Sequence, residues 1–276
     1  MLSVHTNNAS LIAQTSVNKN NDLLSNAMER LSTGLRINSA ADDAAGLQIA
    51  TRLNSNVVGM QTASRNVSDA TSMLQTADGA LDEITTIANR QKELATQAAN
   101  GVNSEIDLKA LQTEFTDLNA EIERIIGETT YAGNNLFTEL ANTTTFQIGA
   151  AKSESMDVQV DKIDIATVGG GTLKTVDFEA NGRADAETAM DDIDALIGVV
   201  GEARSELGAK INRLGHTAAN LANVTENTMA AAGRIMDTDF AVESANMTKN
   251  QLLVQAGTNI LSSANQNTGL VLGLLG

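Results

Sequence analysis

Every seventh residue from Leu53 to Ala95 is apolar: Leu53, Met60, Val67, Leu74, Leu81, Ala88 and Ala95. A second row, Ala63, Ala70, Ala77 and Ile84, runs beside it at three-and-four spacing. Two such rows draw one apolar stripe down a helix. The chain contains no proline, the residue that breaks helix interiors at a cost of about 3 kcal/mol. The pattern predicts an unbroken helix from about Asp43 to Asn100, roughly 85 Å long at about 1.5 Å per residue. A stripe of that length needs other long helices to cover it.

Candidates for that cover are legible further on. From about Ala184 a second row steps by seven through Ile193, Val200, Leu207, Leu214, Leu221, Thr228 and Ile235, with Ile197, Ile211, Ala218 and Ala232 beside it. Between the two rods, Leu108, Leu111, Phe115, Leu118, Ile122 and Ile125 step 3, 4, 3, 4, 3. Ser104 and Asp107 form a capping-box pattern ahead of that helix. The short Asn100-Gly101 connection folds it back antiparallel on the first rod. Aromatic residues are only 2% of the chain and tryptophan is absent, so the core is built from aliphatic and small side chains, which suit close helix packing. Gly46, Gly59 and Gly79 inside the first rod are read as sites where another helix approaches closely.

The two ends are weaker helices. Residues His5 to Thr33 carry a stripe of Leu24, Met28, Leu31 and Leu35 diluted by Asn, Ser and Thr, which are poor helix-interior residues. Gly34 is a C-cap candidate, and Ser39, Asp42 or Asp43 can cap the first rod. At the far end, Asp237 or Asp239 caps a last helix carrying Phe240, Met247, Val254 and Leu261 at sevenfold spacing. The closing run, with Leu270, Leu272 and Leu275, is apolar enough to demand burial against another surface. Neither terminal helix is stable alone, so they are expected to pair with each other and with neighbouring copies. Between the rods, residues 143–149 and 156–161 alternate with period two, as half-buried strands do. Tyr131-Ala132-Gly133-Asn134-Asn135 has turn chemistry. A further short strand-like region, Thr172 to Phe178, follows the Gly169-Gly170-Gly171 turn.

The fold class is thus mainly α: an elongated antiparallel bundle of long helices with paired terminal helices and a small β-hairpin region. The expected divisions are 1–42, 43–183, 184–236 and 237–276. A net charge of −16 argues against binding nucleic acid or anionic membranes. No apolar run reaches 18 residues, so no membrane insertion is expected. The N-terminus lacks the basic and apolar segments of a secretory signal, so export would need another route. Cysteine is absent, and His5 and His216 have no second ligand at helical spacing. No nucleophile elbow, phosphate loop or calcium loop occurs. Neither an enzyme nor a cofactor-binding protein is expected.

Two long strings identify a resemblance. Residues 29–46, Glu-Arg-Leu-Ser-Thr-Gly-Leu-Arg-Ile-Asn-Ser-Ala-Ala-Asp-Asp-Ala-Ala-Gly, resemble the N-terminal signature of bacterial flagellin. Asp237-Thr238-Asp239-Phe240-Ala241-Val242-Glu243, Met247-Thr248, Gln255-Ala256-Gly257-Thr258 and Ala264-Asn265-Gln266 resemble its C-terminal region. The likeness covers about 1–145 and 185–276. It implies a subunit that polymerises in many copies into the extracellular flagellar filament. In that family the terminal helices form the inner shell, D0, and the rods and hairpin the next, D1. It further implies contacts with hook-associated junction and cap proteins, and secretion through the flagellar type III channel. An export chaperone would bind the C-terminal helix. Only about forty residues separate Ile148 from the second rod, so this is a short form without large outer domains. The polymerisation core carried over from the resemblance is Leu24, Met28, Leu31, Phe240, Met247, Val254, Leu261, Leu270, Leu272 and Leu275.

The segment 89–100 resembles the motif by which the animal receptor Toll-like receptor 5 recognises flagellins. It assigns Arg90 and Leu94, with Glu114 from the next helix, to an outward surface shared between receptor and neighbouring subunits. The competing readings are a flagellar hook–filament junction protein and a cytoplasmic signalling hairpin. The second of these predicts a tight helical tip in place of the strand-like residues 143–178.

Overall fold

The computed structural model describes residues 6–160 and 173–275, with the backbone alone at 174, 181 and 267–275. His5 and the Gly169–Gly171 turn lie outside the described residues. In chain order the elements are α1 (Asn8–Thr33), α2 (Ala44–Ala98), α3 (Glu105–Glu128), β1 (Thr130–Tyr131), β2 (Asn134–Asn135), α4 (Leu136–Ala141), β3 (Thr144–Gln147) and β4 (Ser155–Val158). A 3-10 turn (Leu173–Thr175) precedes α5 (Phe178–Asn181), α6 (Arg183–Met236) and α7 (Phe240–Leu275). The chain divides into two compact units, one of residues 1–55 and 227–276, the other of residues 56–226. Helices α2 and α6 run through both.

In the second unit the α2 stripe is the core. Leu74, Leu81, Ile84, Ala70, Ala77, Ala88 and Ala95 are fully buried, and Met60, Ala63 and Val67 nearly so. From Val67 onward they share one cluster with Leu111, Phe115 and Ile122 of α3 and with Ile193, Leu196, Val200, Leu207 and Leu214 of α6. Ion pairs fix the order of the helices. Arg204 of α6 reaches Asp78 at 2.9 Å and Asp82 at 2.7 Å, one helical turn apart on α2. Lys92 of α2 pairs with Asp194 of α6. Rising numbers on one helix meet falling numbers on the other, so α2 and α6 are antiparallel. The Arg90–Glu114 pair and the hydrogen bond from the Tyr131 hydroxyl to Asp69 O, 3.1 Å, show the same sense for α2 and α3.

The caps agree with the sequence. Ser104 and Asp107 complete a capping box at α3. Gly34 closes α1 in the left-handed region at φ +72, with its N–H on Arg30 O. Of the three candidates for capping α2, Asp43 does so, accepting from Gly46 N–H at 2.9 Å. Asp239 caps α7 through Ala241 and Val242 N–H.

The region between the rods is more elaborate than its sequence pattern. Strands β3 and β4 pair antiparallel, Thr144 opposite Val158 and Gln147 opposite Ser155, with Met156 and Val158 buried. β1 and β2 form a two-residue hairpin whose central residues, Ala132 and Gly133, have φ +52 and +90. Positive φ at both is the turn that matches strand twist. Asn135 then joins two helices. Its amide nitrogen donates to Ile126 O and Gly127 O at the end of α3, and its oxygen accepts from Thr138 N–H at the start of α4. Helix α4 carries no long periodicity, and its buried Leu136, Phe137 and Leu140 were not legible as a helix.

Two expectations are corrected. Residues 173–178 form no strand: a 3-10 turn leads to α5, held by Gln112, which donates to Val176 O and accepts from Phe178 N–H. Phe178 packs edge-on against Phe115 with centroids 5.1 Å apart. Second, none of the α2 glycines admits another helix. Gly46 faces Asp43 and Ile37, Gly59 faces Ala150 in the β3–β4 loop, and Gly79 faces open space.

These surroundings set opposite outcomes for two neighbours. Gly79→Ala stabilises the chain by up to about 1 kcal/mol, because helix propensity improves and nothing is displaced. Leu81→Ala destabilises it by roughly 2–5 kcal/mol through lost burial and a cavity. Urea denaturation followed by circular dichroism measures both.

Candidate functional site

In the first unit α1 and α7 lie antiparallel. The Asn7 side-chain amide donates to Ala264 O at 2.9 Å, and Ser10 Oγ donates to Asn265 Oδ1 at 2.9 Å. At the other end Arg30 and Glu243 stand 3.9 Å apart. Each helix turns a heptad stripe toward its partner. On α1 the shielded positions include Ser10, Ala13, Val17, Asn20, Leu24, Ala27 and Leu31; on α7 they are Glu243, Met247, Asn250, Val254, Gly257, Leu261 and Ala264. Small and polar residues alternate with aliphatic ones, so the helices sit close. A Cβ on Gly257 would lie 2.5 Å from Val17 Cγ2. This is the helix-to-helix close approach that the α2 glycines lack.

The stripe sorts the residues assigned to polymerisation. Leu24, Leu31, Met247, Val254 and Leu261 are half-buried along it. They share that stripe with Ala13, Ala27 and Gly257 at three-and-four spacing, so they take part in the pairing of the terminal helices with each other that the sequence leads one to expect. Met28 and Phe240 are exposed, at 48% and 60%. Leu270, Leu272 and Leu275 lie on turns of α7 whose side chains are outside the described residues. Outside the stripe, apolar residues face solvent: Leu11, Ile12 and Leu23 on α1, and Val242, Leu252, Leu253 and Ile260 on α7. These residues sit between the heptad rows, so a search for rows alone misses them. A helix pair apolar both within and without is a surface for further helices.

Beside the stripe the chain crosses twice between long helices. Arg36 N–H donates to Met236 O at 2.6 Å and Thr238 N–H to Gly34 O at 3.0 Å, and Leu35 bridges Asp237. The Arg36 guanidinium donates to Ile235 O at 2.8 Å. These contacts join residues 34–36, inside the N-terminal signature string, to 235–238, where the C-terminal one begins. Asp42 orders the first crossing: one carboxylate oxygen accepts from Asn38 N–H, Ser39 N–H and Ser39 Oγ.

In the second unit Arg90 and Glu114 come together as expected. Two guanidinium nitrogens of Arg90 donate to Glu114 Oε1 at 2.9 and 2.7 Å, and a third to Glu93 at 2.9 Å. The bond to Glu114, then that to Glu93, raises the Arg90 pKa. All three side chains are substantially exposed. Leu94 does not join them. It is 2% exposed and belongs to the core cluster, because it follows Ile87 at seven residues and falls on the buried face of α2. The neighbouring Gln91 was missed and is also fully buried. The row Ala63, Ala70, Ala77, Ile84 extends through it to Ala98, and that spacing could have revealed it. No group of three or more His, Cys, Asp or Glu able to hold a metal ion occurs among the described residues.

Residues 4–142 match the family described as bacterial flagellin N-terminal helical region, and residues 190–275 match bacterial flagellin C-terminal helical region. The chain is 43% identical to a flagellin of Halalkalibacterium halodurans over 90% of each chain. It is 32% identical to polar flagellin F of Vibrio parahaemolyticus over 100% of each. That alignment spans 375 positions against 276 residues here, so the Vibrio protein carries insertions this chain lacks. The crystal structure of Bacillus cereus flagellin is 34% identical over 57% of this chain and 88% of that one, with a TM-score of 0.49. A Vibrio parahaemolyticus protein described as flagellar hook-associated matches 71% of this chain and 100% of its own at 18% identity and TM-score 0.59, a likeness of fold alone.

The Asp42 turn gives the first unit an acid-sensitive joint. The Ser39 amide and hydroxyl and the Asn38 amide hold its carboxyl below the ordinary 3.8. A depressed folded pKa contributes stability above the unfolded value that is lost as pH falls through the folded one. The joint therefore weakens below about pH 4. Asp42→Asn flattens this part of the response: between pH 6 and pH 3 its urea midpoint falls less than that of the parent.

Proposed function

The chain belongs to the bacterial flagellin family and is a structural subunit of the flagellar filament, and from that premise we propose how it assembles and what else it meets. The observation that carries the assembly reading is the outer apolar face of the α1/α7 pair. Its aliphatic residues contribute little to the lone subunit, and each contributes roughly 1.5–3 kcal/mol if fully buried against another copy. We assign this unit, with Phe240 and the Leu270, Leu272 and Leu275 tail, to the filament's inner shell, and the α2/α3/α6 bundle to the shell around it. The subunit is of the short type, since no long insertion separates β4 from α6.

Secretion through the flagellar type III channel follows from the same premise. So do contacts with junction and cap proteins and with an export chaperone on α7. A chain whose terminal pair is marginal alone is suited to passing unfolded and folding where neighbours cover it. For Toll-like receptor 5, the surface we propose is Arg90 with Glu93 and Glu114, while Leu94 acts from beneath by holding the backbone of this face.

Leu252→Asp tests assembly. Its side chain is 61% exposed, so circular dichroism stays as in the parent while seeded filament growth, followed by light scattering, stops. Growth at the parental rate would rule out this face. Arg90→Ala tests recognition: signalling by receptor-expressing cells falls several-fold, and the thermal midpoint barely moves because exposed ion pairs add little to folding. Equal signalling by variant and parent would remove the receptor assignment.

A further inference from the structure

Whether an asparagine lasts in water depends on its neighbour in the chain. The backbone nitrogen of the next residue can attack the side-chain amide carbon, most readily where that residue lacks a Cβ. The two groups must also meet, so a hydrogen bond that holds either of them protects the site. Outside the helices, three asparagines among the described residues precede glycine or serine: Asn38, Asn100 and Asn103. Two of them are held. Ser39 N–H donates to Asp42 at 2.9 Å and the Asn38 amide to Leu35 O at 3.3 Å. Ser104 N–H donates to Asp107 at 3.0 Å and the Asn103 amide to Gln97 O. Asn100, just past the end of α2, is exposed. Neither its side chain nor Gly101 N–H makes a hydrogen bond among the described residues. The Cβ position of Gly101 has no atom within 4 Å. The other Asn-Gly pair, Asn181-Gly182, closes α5, and the Asn181 side chain is outside the described residues.

We propose that Asn100 is a site of spontaneous deamidation, with water as the co-reactant. The Gly101 nitrogen gives its proton to solvent and bonds to Asn100 Cγ. The Cγ–Nδ2 bond breaks, the leaving nitrogen takes up protons and departs as ammonia, and a succinimide ring remains. Water then opens the ring at either carbonyl, and nothing is oxidised or reduced. Opening at Cγ gives aspartate. Opening at the main-chain carbonyl gives isoaspartate, in which the chain runs through Cγ and the former peptide carbonyl becomes a pendant carboxylate. Either product adds one negative charge to the parental −16. That charge stands at the carbonyl end of α2, where the helix dipole opposes it. Isoaspartate also lengthens the main chain by one carbon and displaces Asn100 O, which accepts from Asn103 N–H at 3.3 Å. The turn between α2 and α3 therefore loosens in converted chains, and their share records the time since synthesis.

Ageing the soluble full-length subunit in mildly alkaline buffer, folded and in urea, tests this. Peptide mass spectrometry with fragmentation places each gain of about one dalton, and methyl transfer by an isoaspartyl-specific methyltransferase reports isoaspartate. In the folded chain Asn100 converts at a rate within about twofold of its rate in urea, whereas folding slows Asn38 and Asn103 roughly tenfold or more. Gly101→Ala keeps the parental circular dichroism, since the added Cβ meets nothing, and slows conversion at Asn100 by roughly tenfold. Hydrogen exchange at residues 100–104 speeds up in isoaspartate-bearing chains. If folding protects Asn100 as strongly as Asn38 and Asn103, or if Gly101→Ala converts at the parental rate, the proposal is wrong.

Discussion

Everything in the second unit depends on burying one stripe of α2. Leu74, Leu81 and Ile84 are removed from water entirely, which neither a two-helix pair nor a lone hairpin could achieve. α3 covers one flank and α6 the other, and the alanines at 70, 77, 88 and 95 let them come close. The ion pairs do a different task. Arg204 between Asp78 and Asp82 adds little energy at the surface, but it sets which turn of α6 meets which turn of α2. Apolar packing supplies the stability and the charges supply the register.

The first unit follows another rule. Its stripe mixes Val17, Leu24, Val254 and Leu261 with Asn20, Asn250, Glu243 and Gly257. Such a seam fixes the partner and the alignment at low stability, as polar positions in paired helices do. The apolar residues left outside the seam then have no use within a single copy. A polymer subunit needs this division: one unit that holds by itself, and another whose full burial awaits its neighbours. The inner stripe and the outer face share the same two helices, so under the assembly we propose, folding of the pair and growth of the filament are coupled.

The long helices were legible because periodicity survives any tertiary arrangement. The rows of α2, α3 and α6 landed on buried faces almost residue for residue. So did the caps at Gly34, Ser104 and Asp239, whose chemistry is local. The failures share a cause in contacts distant along the chain. Nothing near Gly59 announces that Ala150 will sit above it. Residues 173–178 alternate like a strand, yet Gln112 on α3 captures their backbone and Phe115 captures Phe178, which a turn and a short helix satisfy better. Leu94 is the exception, because the likeness to the signature string puts it on the outward surface while its phase on the helix puts it on the buried face. Its distance of seven from Ile87 already placed it inside.

By itself, the sequence determined that long proline-free helices must form, which faces they bury, where they stop, and to which family the chain belongs. These properties reside in residues close together along the chain or repeated at a fixed step. Only the tertiary structure decided that the row of Met247, Val254 and Leu261 is consumed by α1, that Leu252, Leu253 and Ile260 remain outside, and that Arg90 reaches Glu114 on the next helix. A helix has a full circumference of candidate surfaces, and its own sequence ranks them by polarity. Which one is used within the subunit, and which is left for another copy, depends on what the rest of the chain brings against it.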